Sequence, residues 1–150
     1  MTKDLFNRIR RVIGSAPQVI TNNTALDTTA APQDMSGFES AVLEIDTGVL
    51  SDADTIVSVE IFEGSKSDGS DKTDVAAKDL QIDSRMLAVP AGNAQAAFDF
   101  SNDSIAFKIG YKGVKQYVGY IITPANNTGN IPIAVTWVLG NPRVSPPSAS

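Results

Sequence analysis

The chain has 150 residues, 42% of them hydrophobic and 19% charged, with 12 Lys and Arg against 17 Asp and Glu. It contains neither cysteine nor histidine, which excludes a disulfide framework, a thiol nucleophile, a Cys/His zinc site, an iron–sulfur cluster and a Ser-His-Asp triad. At this length a single domain is expected, able to bury about two-thirds of its unfolded surface.

The net charge of −5 is unevenly spread: residues 1–13 hold Lys3, Arg8, Arg10 and Arg11 against Asp4, a net of +3, which leaves −8 on residues 14–150. A basic arm on an acidic body suits docking to an anionic partner. The acidic body makes nucleic acid an unlikely partner. No apolar run approaches the ~20 residues of a membrane helix. The opening MTKDLFNRIRRVIGSAP lacks the apolar h-region of a signal peptide. A protein made and used in a cytoplasm, or in a particle assembled there, is expected. The N-x-S/T triplets at Asn22, Asn102 and Asn126 carry little weight without a secretory signal.

In chain order, residues 3–13 read as a short amphipathic helix or an extended arm. Leu5, Phe6, Ile9, Val12 and Ile13 fall on one helical face, with Lys3, Arg8, Arg10 and Arg11 mostly off it. Such a segment is too short to be stable alone, so it needs a surface to lie on. The arm is bounded at residue 17, where Pro17 ends the pattern, and is expected to be dispensable for folding. Its aliphatic stripe favours burial against a protein over a nucleic acid. Lys3, Phe6, Arg8, Ile9, Arg10, Arg11 and Ile13 are therefore the candidate partner-binding residues.

Residues 22–36 are small and polar and read as a loop. From there the period is two. Ala41, Leu43 and Ile45 alternate with Val42, Glu44 and Asp46, and Val57, Val59 and Ile61 alternate with Ser58 and Glu60. Residues 64–74, with a central Asp68-Gly69, read as a turn or exposed loop. In residues 75–100, DVAAKDLQI reads as a helical turn or an edge strand and AQAAFDF as a strand, separated by a break at Pro90-Ala-Gly-Asn93. Ile105 to Tyr111, Tyr117 to Thr123 and Ile131 to Leu139 read as three strands joined by short turns, an antiparallel meander. The Pro/Ser-rich tail, 141–150, is not expected to continue a central strand.

This pattern predicts an all-β fold, an antiparallel β-sandwich of jelly-roll or Ig-like type over residues 18–140. No internal repeat is visible. No constellation spells out an enzyme, and no cofactor or metal is expected. Glu44 and Glu60, placed on neighbouring strands, are a conceivable acid–base pair, but exposed carboxylates are normal on half-buried strands. Asp68, Asp71 and Asp74 do not match a calcium loop. Lys108, Lys112 and Lys115 cluster around one hairpin and read as edge solubilisation. Tyr111 and Trp137 alternate with polar positions and read as core. Tyr117 and Tyr120 have opposite parity on one strand; one of them is expected to leave the core, and the two are the candidate oligomer-interface residues.

Several stretches resemble small structural proteins of tailed bacteriophages. They are Gly37-Phe38-Glu39-Ser40, VLEIDTGVLSDADTIVSVEIFEGSKSDGSDKTDVAAKDL from Val42 to Leu80, and FKIGYKGVKQYVGYIIT from Phe107 to Thr123. Within them, the Asp74 to Leu80 run and the Tyr111 to Val118 run carry the likeness. The resemblance implies a virion role without catalysis: a cement or decoration protein on the phage head, bound to the major capsid protein and oligomeric, as a trimer or a dimer. A tail or head–tail junction component and a carbohydrate-binding host-surface adhesin are the alternatives.

Overall fold

The computed structural model describes residues 3–87 and 92–144. Residues 90–91 of the break expected at 90–93, and residues 145–150 of the tail, lie outside the described residues. A 3-10 turn, Phe6–Arg8, precedes β1 (Ile9–Ile20), β2 (Leu26–Asp27), β3 (Gln33–Asp34), β4 (Phe38–Thr47), β5 (Ile56–Gly64) and β6 (Thr73–Asp74). There follow β7 (Leu80–Ile82), β8 (Ala96–Asp99), β9 (Ala106–Tyr111), β10 (Tyr117–Ala125) and β11 (Ile131–Pro142), with further 3-10 turns at Ala77–Asp79 and Phe100–Asn102.

The strands form two antiparallel sheets. One runs β1-β11-β4-β9-β7; the other runs β2-β10-β5-β6, with β3 also on β10 and β8 also on β5. The path β1-β11-β4-β9 facing β2-β10-β5-β6 is the jelly-roll arrangement, in which successive long strands alternate between sheets.

The expected meander is therefore corrected. β9 pairs with β4 and β7, β10 pairs with β5, and β11 pairs with β4 and β1. The segments between these strands are not hairpin turns. Residues 112–116 and 126–130 carry the chain from one sheet to the other across the ~10 Å that separates packed sheets. A two-residue turn keeps both strands in one sheet; five-residue links with Gly113 and Gly129 allow the crossing.

The core lies between the sheets. Leu43, Ile45, Val57, Val59, Phe98, Phe107, Tyr120, Ile122, Val135 and Leu139 are all fully buried, and each contributes about 1.5–3 kcal/mol on leaving water. Phe98 of β8 stacks on Phe107 of β9 with ring centroids 5.3 Å apart, an inter-sheet contact. Trp137 and Tyr111 are core residues, 3% and 2% exposed.

A smaller packed layer covers the outer face of the second sheet. Phe62 alternates with inward Ile61, yet is only 1% exposed. Its ring lies over Gly119 of β10, where a Cβ would come within 2.2 Å of it. Lys72 also covers the ring, its ammonium 5.3 Å from the centroid. The 64–74 loop that supplies Lys72 is tightly built. Asp71 accepts from the Ser65 and Lys66 amides at 2.9 and 3.1 Å. Gly69, at φ +68, approaches the Thr29 carbonyl so closely that a Cβ would stand 2.0 Å from it.

Residues 9–17 do not stand apart from this body. They form most of β1, which pairs with β11 from Ile9 opposite Gly140 to Ile20 opposite Ile131. The helical reading is thus corrected over these residues, and the expected boundary at residue 17 falls inside a strand. Five β-branched residues, Ile9, Val12, Ile13, Val19 and Ile20, favour the strand. Pro17 falls in the second of two register irregularities, between Ser15 and Gln18, where its missing N–H costs no regular ladder bond. The boundary expected before residue 141 shifts too, since β11 runs to Pro142, opposite Phe38. Residues 77–82 hold both a 3-10 turn and a short edge strand.

Candidate interaction surface

In β1 the strand period separates residues that a helix would have grouped. Val12 packs against the core, while its neighbour Ile13 is 69% exposed. Leu5 and Phe6, ahead of the strand, are 64% and 89% exposed. Lys3 and Arg8 are exposed, and Ile9 and Arg10 are half-buried. Arg10 bears electrostatically on Asp34 of β3. Arg11 reaches over β11 to Glu44 of β4, guanidinium to carboxylate 3.0 Å. Of the candidate partner-binding residues, Lys3, Phe6, Arg8, Arg11 and Ile13 thus lie on or beside the edge of the first sheet, facing solvent. Ile9 and Arg10 are partly taken up by the body. Val19, 54% exposed, extends the apolar strip and had no signal in the helical pattern.

Gly14 fixes where this edge meets the core. The Tyr120 hydroxyl comes so near that a Cβ on Gly14 would stand 2.7 Å from it. The hydroxyl also shares a hydrogen bond with Ser15 at 2.6 Å. Tyr120 is 0% exposed and tilts against Trp137 at 6.3 Å between centroids. Burial pushes its phenol above the ordinary tyrosine range, with the Ser15 bond opposing. It is therefore not an interface residue. Tyr117 is half-buried at the start of β10, at the rim of an end cleft.

That cleft, about 460 Å³, lies between residues 35–39, residues 113–116 and Arg143. Val114 at its lip is 96% exposed. The Gln116 amide donates to Ser36, Tyr117 and Asp34 at 3.0 to 3.4 Å, and Arg143 stands 3.9 Å from Glu39. Burial opposes ionisation of Asp34, but hydrogen bonds from Ser36 and Gln116 keep its carboxyl below the usual range. A shallower groove of about 370 Å³ runs along the β1 side of the sheet face between Ile13, Pro17 and Ala134. It is open because β11 presents the small side chain of Ala134 there.

The other candidate residues separate. Glu44 and Glu60 lie in different sheets and on opposite outer faces, Glu44 with Arg11 and Glu60 with Lys72 at 3.3 Å. They do not form an acid–base pair. Asp68 and Asp71 are turned onto backbone amides of their own loop, and these bonds hold both carboxyls below the usual range. Among the described residues no group of acidic side chains is arranged to hold a metal ion. Lys108 lies opposite Glu44 on the first sheet's outer face, while Lys112 and Lys115 sit on the link to the other sheet, so the three do not share a hairpin.

Two polar ties had no sequence signal. The Tyr111 hydroxyl donates to Glu63 at 2.5 Å, joining the sheets; burial, then this carboxylate, pushes the phenol far above its ordinary range. The Arg85 guanidinium grips Asp83 through two bonds of 2.9 and 2.6 Å, donates to the Ala106 carbonyl at 2.7 Å and lies over Phe107. Both partners are remote in sequence from what they stabilise.

The fold and surface define an all-β, jelly-roll sandwich whose polar residues largely engage one another and whose exposed apolar side chains gather at its edge and ends. Comparison with family models, with curated proteins and with solved structures finds no match. The likeness to phage structural proteins therefore stands on the quoted residues alone.

Proposed function

We propose that the protein is a non-enzymatic structural component of a phage particle: a cement or decoration protein that binds the major capsid protein on the outer head surface and stabilises capsomer contacts. It would be assembled in the host cytoplasm and reside in the virion as a homo-oligomer, a trimer or a dimer. The observation that carries this reading is the exposed strip of Leu5, Phe6, Ile13 and Val19 beside Lys3, Arg8 and Arg11. Large apolar side chains gathered on one edge of a soluble fold mark a protein-docking surface, and the cations favour an acidic partner surface. A rigid sandwich repeated over a shell turns modest contacts into large collective stabilisation. Jelly rolls serve in viral capsids and in lectins alike, so the fold by itself does not separate the head-surface reading from the adhesin.

The test is quantitative copy number in purified particles, together with binding to heads lacking the protein. Hundreds of copies on the shell are expected. A ring of six or twelve would place it at a connector or tail instead. A variant lacking residues 1–8, cut before β1, is expected to fold and to lose head binding. Full-affinity binding by that variant would remove Lys3, Leu5, Phe6 and Arg8 from the docking role.

A further inference from the structure

The sheet edges of this sandwich are treated unequally. In the second sheet both long strands are flanked by short ones of two to four residues: β6 and β8 on β5, and β2 and β3 on β10. Side chains fill the gaps between those short strands. The Gln95 amide accepts from the Ile61 N–H at 2.7 Å and donates to the Ile61 carbonyl at 2.9 Å, as a backbone residue would. The Thr28 hydroxyl does the same for Tyr120, accepting from its N–H at 2.9 Å and donating to its carbonyl at 3.0 Å. The first sheet ends on one side in β7, three residues long. On the other side it ends in β1, twelve residues long. Among the described residues β1 is the one long strand left at an edge, and a long open edge is a template for a further strand.

The usable part of that edge is short. The register runs unbroken from Ile9 opposite Gly140 to Ile13 opposite Thr136, and the irregularities around Ser15 and Pro17 follow. Val12 packs against the core, so Ile9, Arg11 and Ile13 share the outer face of this stretch. A second copy of the same stretch does not suit it. In the antiparallel register that uses all five residues Arg11 faces Arg11, and in a parallel one Arg10 and Arg11 each stand beside their own copies; like charges so placed destabilise. A carboxylate is accommodated instead. Arg11 engages Glu44 through one nitrogen at 3.0 Å and its side chain is 60% exposed, so further guanidinium donors are available. Lys3 and Arg8, ahead of the strand, form no ion pair among the described residues. Of the nearby carboxylates, Asp4 is bonded to Asn7, and Asp46 lies beside Pro17, past the regular stretch.

We propose that β1 accepts a sixth strand: an extended segment of a different protein pairs its backbone with Ile9–Ile13, setting aliphatic side chains against Ile9 and Ile13 and a carboxylate between them beside Arg11. This is recognition by strand addition, in which main-chain bonds give affinity and alternate side chains give specificity. The inference rests on the β1 edge being the docking surface for the capsid protein, and it specifies what that partner places there.

The probe is the peptide acetyl-Thr-Val-Thr-Glu-Thr-Val-Thr-amide, whose pattern reads the same in both chain directions. It is titrated into the full chain and followed by amide NMR. Saturable binding with a Kd of about 1 mM or tighter is expected, with shifts and slowed amide exchange at residues 9–13. Replacing the peptide Glu by Lys is expected to weaken binding about threefold or more, and Arg11→Glu to reverse that preference. Two N-methylated peptides, one methylated at Val and Glu and the other at the intervening Thr residues, each lose the donors of one peptide edge. One is expected to bind like the parent and the other at least about tenfold more weakly. No saturable binding, shifts centred away from β1, or equal binding by both methylated forms overturns the proposal. So does protection of residues 9–13 that grows with protein concentration in the absence of peptide, since that would assign the edge to a second copy. Should Arg11→Glu not fold, the wild-type titrations still decide. Heads that bind the protein while the peptide does not would leave the docking reading standing and sink strand addition; peptide binding without head binding would do the reverse.

Discussion

Phe62 and Gly119 offer a direct test of the second packed layer. A methyl group at residue 119 would lie 2.2 to 2.8 Å from three carbons of the Phe62 ring, whereas unstrained carbons sit at about 3.5–4.0 Å. The ring must shift by about 1 Å or more, with the Lys72 ammonium already 5.3 Å from its centroid. Gly119→Ala is therefore expected to cost about 1–3 kcal/mol by overpacking, against a gain of about 0.5–1 kcal/mol from replacing a strand glycine. Phe62→Ala removes a fully buried ring and is expected to cost about 3–5 kcal/mol. In the double variant the new methyl group occupies space the ring has vacated. Its cost should fall below the sum of the single variants by about 1–3 kcal/mol. Urea unfolding read by the fluorescence of Trp137, the one tryptophan, measures all three. Additivity within about 0.5 kcal/mol would refute the account of Gly119 as the seat of the ring.

Removing residues 1–13 instead of 1–8 takes away the β1 pairs with Thr136 to Gly140 and the packing of Val12; a clear fall in urea midpoint is expected, and an unchanged midpoint would mean that β1 contributes nothing to the body. Asp83→Asn should cost about 1–3 kcal/mol at neutral pH, from the weakened grip on Arg85. Because the Arg85 hydrogen bonds hold this carboxyl far below its usual range in the fold, the contribution is present above the unfolded value of about 3.9 and lost as pH falls through the folded one. The gap between wild type and variant should narrow in acid; a constant gap contradicts the ionic role. In alkali, Tyr111 and Tyr120, two of the three tyrosines, have raised phenol values, so the stability tied to their protonated forms is present below about pH 10 and lost as pH rises. Absorbance at 295 nm should show two phenols ionising late, with unfolding; three ionising near pH 10 in an intact fold would count against their burial.

Where the sequence was legible, the reason was local. Ala41, Leu43 and Ile45, or Ile131 through Leu139, alternate because one face of each strand meets the core, and that period survives without knowing the neighbours. Which sheet a strand joins is not local. Nothing in Tyr111 to Tyr117 distinguishes a hairpin from a link between sheets, so β9, β10 and β11 read as consecutive neighbours although β10 lies opposite the other two. The N-terminal segment was ambiguous for a different reason. Leu5, Phe6, Ile9, Val12 and Ile13 satisfy a helical stripe, but β11 offers an open edge 120 or so residues away, and that tertiary partner decides in favour of a strand. The same remoteness hid Tyr120, whose inward placement depends on Gly14 leaving room for its hydroxyl. The basic charge of residues 1–13 was legible in the sequence itself, because charge follows from composition.

The pairing of β1 with β11 also bears on how the chain reaches this state. β1 is made before every other strand of its sheet, yet among the described residues its one strand partner is the last to appear. Closing the intervening loop costs an entropy that grows with the logarithm of its length, and contacts this distant in sequence slow folding. Until β11 emerges, Val12 and Ile20 have no core to enter and both backbone edges of β1 are open to strangers. Arg10, Arg11 and Pro17 then act as gatekeepers within a β-prone segment. The residues that decorate the finished edge also guard the nascent one.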